Sequence, residues 1–341
     1  MNMKKITVAM SGGVDSAAAC AVLKEKGYDI KGATMRLGVE NDNDIEAAQN
    51  VCKALGIDFE VYDFTHEFLR DVITPFCESY VSDLTPNPCI NCNIRLKFGA
   101  FLQRAMSDGA DGIATGHYAR IENGRLLKAK NEAKDQSYVL YGISRYALEH
   151  TLFPLGDFST KDEVRKYVKE LCLPCADRPE SQDICFIPDG DYASYLSKNG
   201  YFCPKGKFVN TKGEILGEHL GRHCYTIGQR RGLGVSAGKR IFVLGKNTEE
   251  NTVILGDEEE LYKKEIYCTD VNFIRDIPYP ITAEVKVRYK KSGERAVIEK
   301  TENGVKCTFF NSVRAPAPGQ SAVFYIDDEV IGGGIIRRYG L

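Results

Sequence analysis

The chain has 341 residues, of which 43% are hydrophobic and 27% are charged, with a net charge of −2. This composition is that of a soluble globular protein, and the length predicts two or three domains. No apolar run approaches the ~20 residues needed to span a bilayer, so we expect no membrane association. The N-terminal KKITVAM lacks the long apolar stretch of a signal peptide, which favours a cytoplasmic protein. A disulfide-rich secreted domain is excluded, and most of the twelve cysteines are expected in the core.

The first half of the chain alternates strand-like and helix-like segments. Buried strands are predicted at 4–10, 30–37, 58–64 and 111–116, and helices at 16–26, 44–55, 66–82, 93–107 and 161–171. This alternation predicts an α/β fold, a mostly parallel sheet with helices on both faces. The ligand site of such a sheet lies beyond the carboxyl ends of its strands.

After about residue 200 the pattern changes to short extended runs separated by turn signals. From about residue 264 these runs recur every eight to twelve residues, which predicts a small β-barrel or sandwich. We therefore expect a catalytic domain at 1–200, a small central domain at 201–262 and a C-terminal β-barrel at 263–341.

The stretch AMSGGVDSA (9–17) lies where the first predicted strand meets the first predicted helix. A glycine-rich turn at a helix N-terminus binds phosphate, because unpaired N–H groups and the helix dipole both face the anion. The stretch lacks the Gly-Lys-Ser/Thr of the Walker loop and the spacing of the dinucleotide loop. It resembles the pyrophosphate loop of N-type ATP pyrophosphatases, which transfer AMP to a carbonyl oxygen. The alternative is an ordinary glycine-rich turn.

Further motifs narrow this resemblance to one family. They are TPNPCINCN (85–93), ATGHYAR (114–120), KDQSY (134–138), SQDICFIP (181–188), YTIGQRRGLG (225–234), VRY (287–289) and APGQSAVFY (317–325). Together with SGGVDS (11–16), they resemble the tRNA-specific 2-thiouridylases, called MnmA in bacteria and TrmU in mitochondria. The resemblance implies ATP-dependent 2-thiolation of the wobble uridine, through an adenylated uridine and a cysteine persulfide.

The resemblance also implies roles for individual residues. ATP, with Mg²⁺, would be bound by Ala9, Met10, Ser11, Gly12, Gly13, Val14, Asp15, Ser16, Met35 and Gly116. Cys185 would carry the persulfide, and Cys92 would be the second catalytic cysteine, forming a transient disulfide with Cys185. The target base and the tRNA would be contacted by Asn87, Pro88, Cys89, His117, Lys134, Asp135, Gln136, Arg288, Tyr289 and Gln320.

The implied partners are the tRNA anticodon loop and a sulfur donor or relay protein, such as a cysteine desulfurase. Two locally basic stretches, 222–231 and 286–295, are able to neutralise phosphates although the net charge is close to zero. A solvated protein face is the alternative for each stretch.

Cys89 departs from the family, which usually has aspartate at this position. A thiol with a pKa of about 8.5 does not replace a carboxylate with a pKa of about 4. Cys89, Cys92 and Cys185 could instead hold an iron–sulfur cluster, as in related tRNA thiolases. A zinc site involving the second Cys-x-x-Cys pair, CLPC at 172–175, is a further alternative. A non-catalytic tRNA-binding or sulfur-carrier protein is the alternative of another class.

Overall fold

The computed structural model describes residues 3–39, 42–179, 184–236 and 238–338. Its strands are β1 (Lys5–Ala9), β2 (Asp29–Arg36), β3 (Phe59–Asp63), β4 (Gly112–Ala114), β5 (Arg120–Glu122), β6 (Arg125–Leu127), β7 (Thr151–Leu152), β8 (Gly206–Val209), β9 (Ile215–His219), β10 (Phe242–Asn247), β11 (Thr252–Gly256), β12 (Tyr262–Phe273), β13 (Ile281–Lys286), β14 (Glu294–Thr301), β15 (Gly304–Arg314), β16 (Ser321–Ile326) and β17 (Glu329–Ile336). Its α-helices are α1 (Val14–Glu25), α2 (Asp42–Leu55), α3 (Thr65–Phe68), α4 (Thr74–Val81), α5 (Pro88–Asn91), α6 (Leu102–Ser107), α7 (Arg145–Glu149), α8 (Lys161–Glu170) and α9 (Tyr192–Lys198).

Other helical forms complete the described chain. Leu69–Ile73 and Cys92–Phe101 are π-helical, and Ser137–Leu140, Arg222–Cys224 and Glu258–Leu261 are short 3₁₀ turns. Within the described ranges, every helix is too short or too polar to cross a bilayer.

Internal contacts divide the chain into two compact units. The first unit contains Met1–Val72, Cys89–Pro188 and Asp327–Ile331, and the second contains Ile73–Pro88, Asp189–Ile326 and Gly332–Leu341. Each unit is therefore assembled from separate stretches of sequence.

The first unit contains the predicted parallel sheet. Its strand order is β3-β2-β1-β4-β7, and all the neighbouring strands run parallel. The three central residues of β1 are buried, as expected for a strand that is covered on both faces. The strand order reverses at β1, and such a reversal opens a crevice at the carboxyl ends of the strands. The fold prediction is confirmed, and the fold places the β1–α1 turn beside this crevice.

Small side chains bring α1 close to the sheet. Ala17, Ala18 and Ala19 are fully buried, in one cluster with Ile6 and Val8 of β1. Side chains from α2 and α8 join the same cluster, which covers the sheet with packed helices. The N-terminus of α1 is thereby held rigidly at the end of β1.

The two helices predicted at 66–82 and 93–107 differ from the observed structure. The first is interrupted by the π-helical segment Leu69–Ile73 and continues as α4, which belongs to the second unit. The second begins with the ten-residue π-helix Cys92–Phe101 and becomes an α-helix only at Leu102. A wider helical turn changes which side chains share a face, and this matters for the cysteines described below.

The second unit contains two β structures. A four-stranded sheet with the order β10-β11-β8-β9 packs around Phe208, Val243, Val253 and Leu255. Six strands in the order β12-β15-β14-β13-β16-β17 form a barrel, which closes by pairing β12 with residues 332–336 of β17. Alternating burial along β14 matches the period of two that a barrel wall requires. The predicted small central domain and C-terminal barrel are therefore present as structural elements.

Candidate active site

The loop after β1 is closed by its own hydrogen bonds. The hydroxyl of Ser16 accepts the backbone N–H of Ser11 at 3.2 Å and donates to the carbonyl of Gly13 at 3.0 Å. Gly12 has a φ of +71°, and a Cβ at this position would lie 2.9 Å from the backbone nitrogen of Ala48. Both observations require glycine. Because α1 begins directly after Gly13, the loop lies at a helix N-terminus, where an anion is favoured.

A lysine and a tyrosine converge on Asp15, in the first turn of α1. The Tyr118 hydroxyl donates to Asp15 Oδ1 at 2.7 Å, and the Lys161 ammonium bonds the same oxygen. Lys161 begins α8, whose N-terminus is fixed by a capping box between Thr160 and Glu163. The Lys161 side chain is only 11% exposed. A nearly buried cation therefore lies beside the loop.

Arg178 supplies a second cation. Its Nη1 donates to the carbonyl of Gly12 at 3.2 Å, and its Nη2 donates to Asp44 Oδ1 at 2.8 Å. Neither Lys161 nor Arg178 was among the predicted site residues. The Ser-Thr-Lys-Asp-Glu pattern at 159–163 signals a helix start, but local sequence does not indicate which loop that helix faces.

Gly116 packs directly against the loop. A Cβ at Gly116 would lie 2.8 Å from the carbonyl carbon of Asp15 and 2.9 Å from the nitrogen of Ser16. Since both contacts are backbone atoms, no side chain can be accommodated without moving the loop. The structure therefore brings Gly116 and the 9–16 loop together, as expected from the sequence.

The remaining predicted nucleotide residues lie at the same edge of the sheet. Ala9 ends β1, and the backbone N–H of Met10 donates to Ala33 in β2 at 2.8 Å. Met35 is half-buried two residues beyond Ala33. Val14 is buried and anchors the first turn of α1. Met35 is thus one strand away from the loop, and its contact with a nucleotide stays a prediction.

The three cysteines singled out by the sequence are near enough to influence one another's ionisation. Cys92 is buried, whereas Cys89 and Cys185 are exposed. Desolvation by the surrounding protein, reinforced by the neighbouring Cys92 and Cys89, raises the pKa of Cys185 to about 11, although the residue is exposed to solvent. Burial likewise raises the pKa of Cys92, with a smaller contribution from Cys89. The described chain contains no disulfide bond. Ser181, Gln182 and Asp183 of the predicted motif lie outside the described residues.

Lys97 counteracts these pKa shifts. It follows Cys92 by five residues in the π-helix, whose wider turn places residues five apart on one face. The positive charge of Lys97 lowers the pKa of both Cys92 and Cys185, opposing the larger effect of burial. One cation therefore acts on both thiols.

Metal ligation by these cysteines finds no support in the described part of the chain. There, no three His, Cys, Asp or Glu side chains are grouped so that they could hold a metal ion. This observation covers both the iron–sulfur alternative at Cys89, Cys92 and Cys185 and the zinc alternative at CLPC.

His117 follows Gly116 and packs against the π-helix that begins at Cys92. Burial, followed by the charge of Lys97, keeps its pKa well below the ordinary value. The imidazole therefore remains neutral at physiological pH. Its Nδ1 lies 2.7 Å from the Thr115 hydroxyl, and the ring packs between Phe98 and Phe153. A contact of this buried ring with tRNA stays a prediction.

The segment at 134–136 is folded by its own side chains. Asp135 accepts hydrogen bonds from the backbone of Ala129 at 3.0 Å and from the Ser137 hydroxyl at 2.8 Å. Gln136 Oε1 accepts the backbone N–H of Tyr118 at 2.9 Å, and Lys134 is half-buried. Of the residues expected to contact tRNA here, Gln136 therefore stabilises the loop that contains Tyr118, and Asp135 stabilises its own segment.

In the second unit, several of the predicted tRNA residues also make internal contacts. Arg288 Nη2 donates to the carbonyls of Ile227 at 3.1 Å and Ala315 at 2.7 Å. Tyr289 is exposed. Arg222 was counted in a basic stretch, yet it is buried and bonds Asp83.

Asn87 and Pro88 belong to the loop that is predicted to contact the target base, named here the base loop. Both residues are assigned to the second unit, and Pro88 is buried. The side-chain amide of Gln320 is engaged within the second unit, because its Nε2 donates to the carbonyl of Thr85 at 2.7 Å. The predicted tRNA residue Gln320 is therefore bonded to the stretch that leads into the base loop.

Comparison with known proteins assigns the family. The chain matches the family descriptions tRNA methyl transferase HUP domain at residues 4–189, tRNA methyl transferase PRC-barrel domain at 194–257, and aminomethyltransferase beta-barrel domain at 263–336. Proteins called tRNA-specific 2-thiouridylase MnmA are similar over their full length. The relative from Clostridioides difficile (strain 630) is 43% identical and covers 98% of each chain. The relative from Caldicellulosiruptor saccharolyticus is 44% identical and covers 98% of this chain and 99% of its own. The chain belongs to the tRNA-specific 2-thiouridylase (MnmA) family.

Proposed function

We propose that the chain is an ATP-dependent tRNA-uridine 2-sulfurtransferase, which replaces the 2-oxygen of the wobble uridine by sulfur. The names of the full-length relatives support the substrate and the reaction. The observation that carries the proposal is the pair Gly116–His117. Gly116 packs on the 9–16 loop, and His117 feels the charge of Lys97, which also acts on Cys92 and Cys185. Gly116 thus contacts the anion loop, while the adjacent His117 packs against Phe98 of the π-helix that begins at Cys92.

The first step makes the uridine reactive. The 2-oxygen attacks the α-phosphorus of ATP, and the bond from that phosphorus to pyrophosphate breaks. The loop N–H groups, Lys161 and Arg178 are suited to receive the charge of the departing pyrophosphate. The carboxylate of Asp15 is an oxygen ligand of the kind that Mg²⁺ prefers, and Mg²⁺ would neutralise phosphate charge there. The adenylated oxygen can then leave as part of AMP.

The second step delivers sulfur. Cys185 is exposed, so a donor such as a cysteine desulfurase or a relay protein can load it as a persulfide. The terminal persulfide sulfur bonds to the C2 carbon, and AMP leaves with the original oxygen. The Cys92 thiolate then attacks Cys185 Sγ, the persulfide S–S bond breaks, and its electron pair stays on the uridine sulfur. A disulfide between Cys92 and Cys185 results, which an external dithiol reduces with two electrons.

Lys97 favours the charged sulfur in this step. A thiol whose pKa is raised by burial is protonated at neutral pH, and only the thiolate attacks. The Lys97 ammonium stabilises the thiolates of Cys92 and Cys185 against that burial.

The second unit would bind the tRNA backbone. The wobble uridine must leave the anticodon stack, and proteins read RNA specifically at such splayed bases. Tyr289, Lys290 and Lys291 are exposed in the turn that follows β13 and are suited to phosphate and base contacts. Because Arg288 bonds two carbonyls, we assign it to support of this segment.

The expected role of Cys89 differs between the persulfide route and the iron–sulfur cluster route. Cys89 is exposed and near both other thiols. Since the described residues offer no three grouped metal ligands, we derive no step through a cluster. Cys89 is then a neighbour of the sulfur transfer and not an obligatory participant.

The experiment is thiolation of a tRNA with an unmodified wobble uridine, using ATP and a persulfide donor, followed by mass spectrometry of the nucleosides. We expect 2-thiouridine with the wild type and none with Cys185→Ser or Cys92→Ser. Cys185→Ser should still release pyrophosphate when tRNA is added, whereas Asp15→Ala should not, although it still binds tRNA. Cys89→Ser should retain substantial thiolation. Absence of 2-thiouridine with the wild type would refute the function. An iron-containing wild type together with an inactive Cys89→Ser variant would refute the persulfide route.

A further inference from the structure

A tight turn of the second unit faces the stretch that leads into the base loop. Residues 317–320 form this turn, in which the backbone N–H of Gln320 donates to the carbonyl of Ala317 at 3.0 Å. Pro318 and Gly319 occupy the central positions, and Gly319 has a φ of +89°. Proline followed by a glycine with positive φ is the pattern of a type II turn.

The turn is fixed to the barrel. Gly319 N–H donates to the carbonyl of Ile336 at 2.9 Å, and Ile336 N–H donates to the carbonyl of Gln320 at 2.8 Å. Ile336 ends β17, so the turn is part of the barrel wall. It is therefore a rigid support.

This support holds Thr85 by both of its backbone polar groups. Thr85 N–H donates to the carbonyl of Pro318 at 2.8 Å, and Gln320 Nε2 donates to the carbonyl of Thr85 at 2.7 Å. A Cβ at Gly319 would lie 2.8 Å from Leu84 Cβ and 2.8 Å from the nitrogen of Thr85. The contact is so close that only glycine fits.

The residue two positions earlier is fixed as well. Asp83 accepts Arg222 Nε at 3.0 and 3.1 Å and the Thr248 hydroxyl at 2.7 Å. Residues 83–85, named here the anchor segment, are thus held at both ends by side chains and backbone of the second unit. Asn87 and Pro88 follow within three residues, a reach of at most ~10 Å.

We infer that Gln320 and Gly319 are positioning residues, which act through the anchor segment to hold Asn87 and Pro88 where the target uridine is received. This inference rests on the proposed function. It differs from direct tRNA binding by Gln320, because the Gln320 amide nitrogen is already engaged by Thr85. tRNA bound on the barrel and the loop that receives its base then share one rigid support.

Positioning and binding make different kinetic predictions. A positioning residue leaves tRNA affinity unchanged and lowers the rate of the bound complex, since a misplacement of about 1 Å can reduce the rate about 100-fold. A direct contact weakens tRNA binding, and saturating tRNA restores the rate.

The test compares Gln320→Ala and Gly319→Ala with the control Gly213→Ala. Gly213 lies in a turn of the same unit with a φ of +83°, and a Cβ at this position would have no other atom within 4 Å. The control therefore carries the same backbone strain without touching the anchor segment. Measurements are tRNA affinity and the maximal rate of tRNA-dependent pyrophosphate release.

We expect tRNA affinity close to that of the wild type in all three variants. The maximal rate should fall about tenfold in Gln320→Ala, as for loss of one hydrogen bond, and by up to about 100-fold in Gly319→Ala. Gly213→Ala should react at the wild-type rate. The Thr85 amide hydrogen should also exchange faster in Gln320→Ala than in Gly213→Ala.

Weaker tRNA binding by Gln320→Ala with a normal maximal rate would overturn the inference in favour of direct contact. So would a Gly319→Ala variant that matches Gly213→Ala, or unchanged exchange at Thr85. A wild type that releases no pyrophosphate with tRNA would instead refute the proposed function, and the Thr85 exchange measurement would still test the anchor.

Discussion

The buried ion pair between Asp83 and Arg222 allows a quantitative prediction about stability. The two side chains are only 2% and 7% exposed, and Arg222 Nε lies 3.0 Å from Asp83 Oδ1. Asp83→Asn leaves the Arg222 guanidinium buried without a counter-charge. Breaking one side of such a pair typically costs about 3–5 kcal/mol.

This cost translates into a large thermal shift. A domain of roughly 150–250 residues loses about 2–4 °C in Tm for each kcal/mol. We therefore expect calorimetry of Asp83→Asn to show a transition lowered by roughly 6–20 °C. The matched control is Glu218→Gln, which breaks the Lys207–Glu218 pair of the same unit, where the side chains are 48% and 71% exposed. Exposed pairs contribute little, so this variant should melt like the wild type.

A double variant tests the reasoning itself. Asp83 has a φ of +61°, a backbone conformation that asparagine tolerates. Replacing Arg222 by methionine in the Asp83→Asn background removes both charges of the pair, so much of the lost stability should return. The reasoning would be refuted if Asp83→Asn melted like Glu218→Gln. It would also be refuted if the double variant were as unstable as the two single losses combined.

Two further predictions concern the loop and a buried lysine. Gly116→Ala should abolish tRNA-dependent pyrophosphate release while tRNA binding persists, since the new methyl group would meet the backbone of Asp15 and Ser16; normal release would exclude the close packing. Burial lowers the pKa of Lys246 from 10.5 to about 8, against the opposing charge of Asp83. Between these pKa values the unfolded chain binds more protons, so the free energy of unfolding should rise from pH 8 to 10.5. Lys246→Met should remove that rise in urea titrations, and an equal rise in both proteins would contradict the assignment.

Local patterns were sufficient for the sheet and for the anion loop. The apolar run of β1 and the Gly12–Gly13 turn are adjacent in sequence, so one short stretch contains the whole signal. The helix N-terminus follows from the same residues. Contacts between residues far apart in sequence could not be predicted from such local patterns. Lys161 and Arg178 are 146 and 166 residues away from the loop atoms that they bond.

The π-helix was missed for a different reason. Periodicity distinguishes helices from strands, but the Cys92–Phe101 segment has the composition of an ordinary helix. Only the backbone hydrogen-bond register reveals the wider turn, and with it the proximity of Lys97 to Cys92. The internal roles of Arg288 and Gln320 were also hidden, because family resemblance suggests a function for a position without revealing its neighbours.

The division of the chain into interleaved stretches limits how the protein can be dissected. Residues 73–88 belong by contact to the second unit although they precede most of the first unit's sequence, and residues 327–331 show the reverse. A fragment ending at Pro188 would contain Asp83 and Thr85 but neither Arg222 nor Gln320, so a buried carboxylate would lose its counter-ion. A fragment beginning at Asp189 would lack the stretch that its arginine and glutamine hold. Cutting between the apparent sequence domains would therefore expose unsatisfied groups on both pieces, and co-expressed halves would have to reassemble before either was complete.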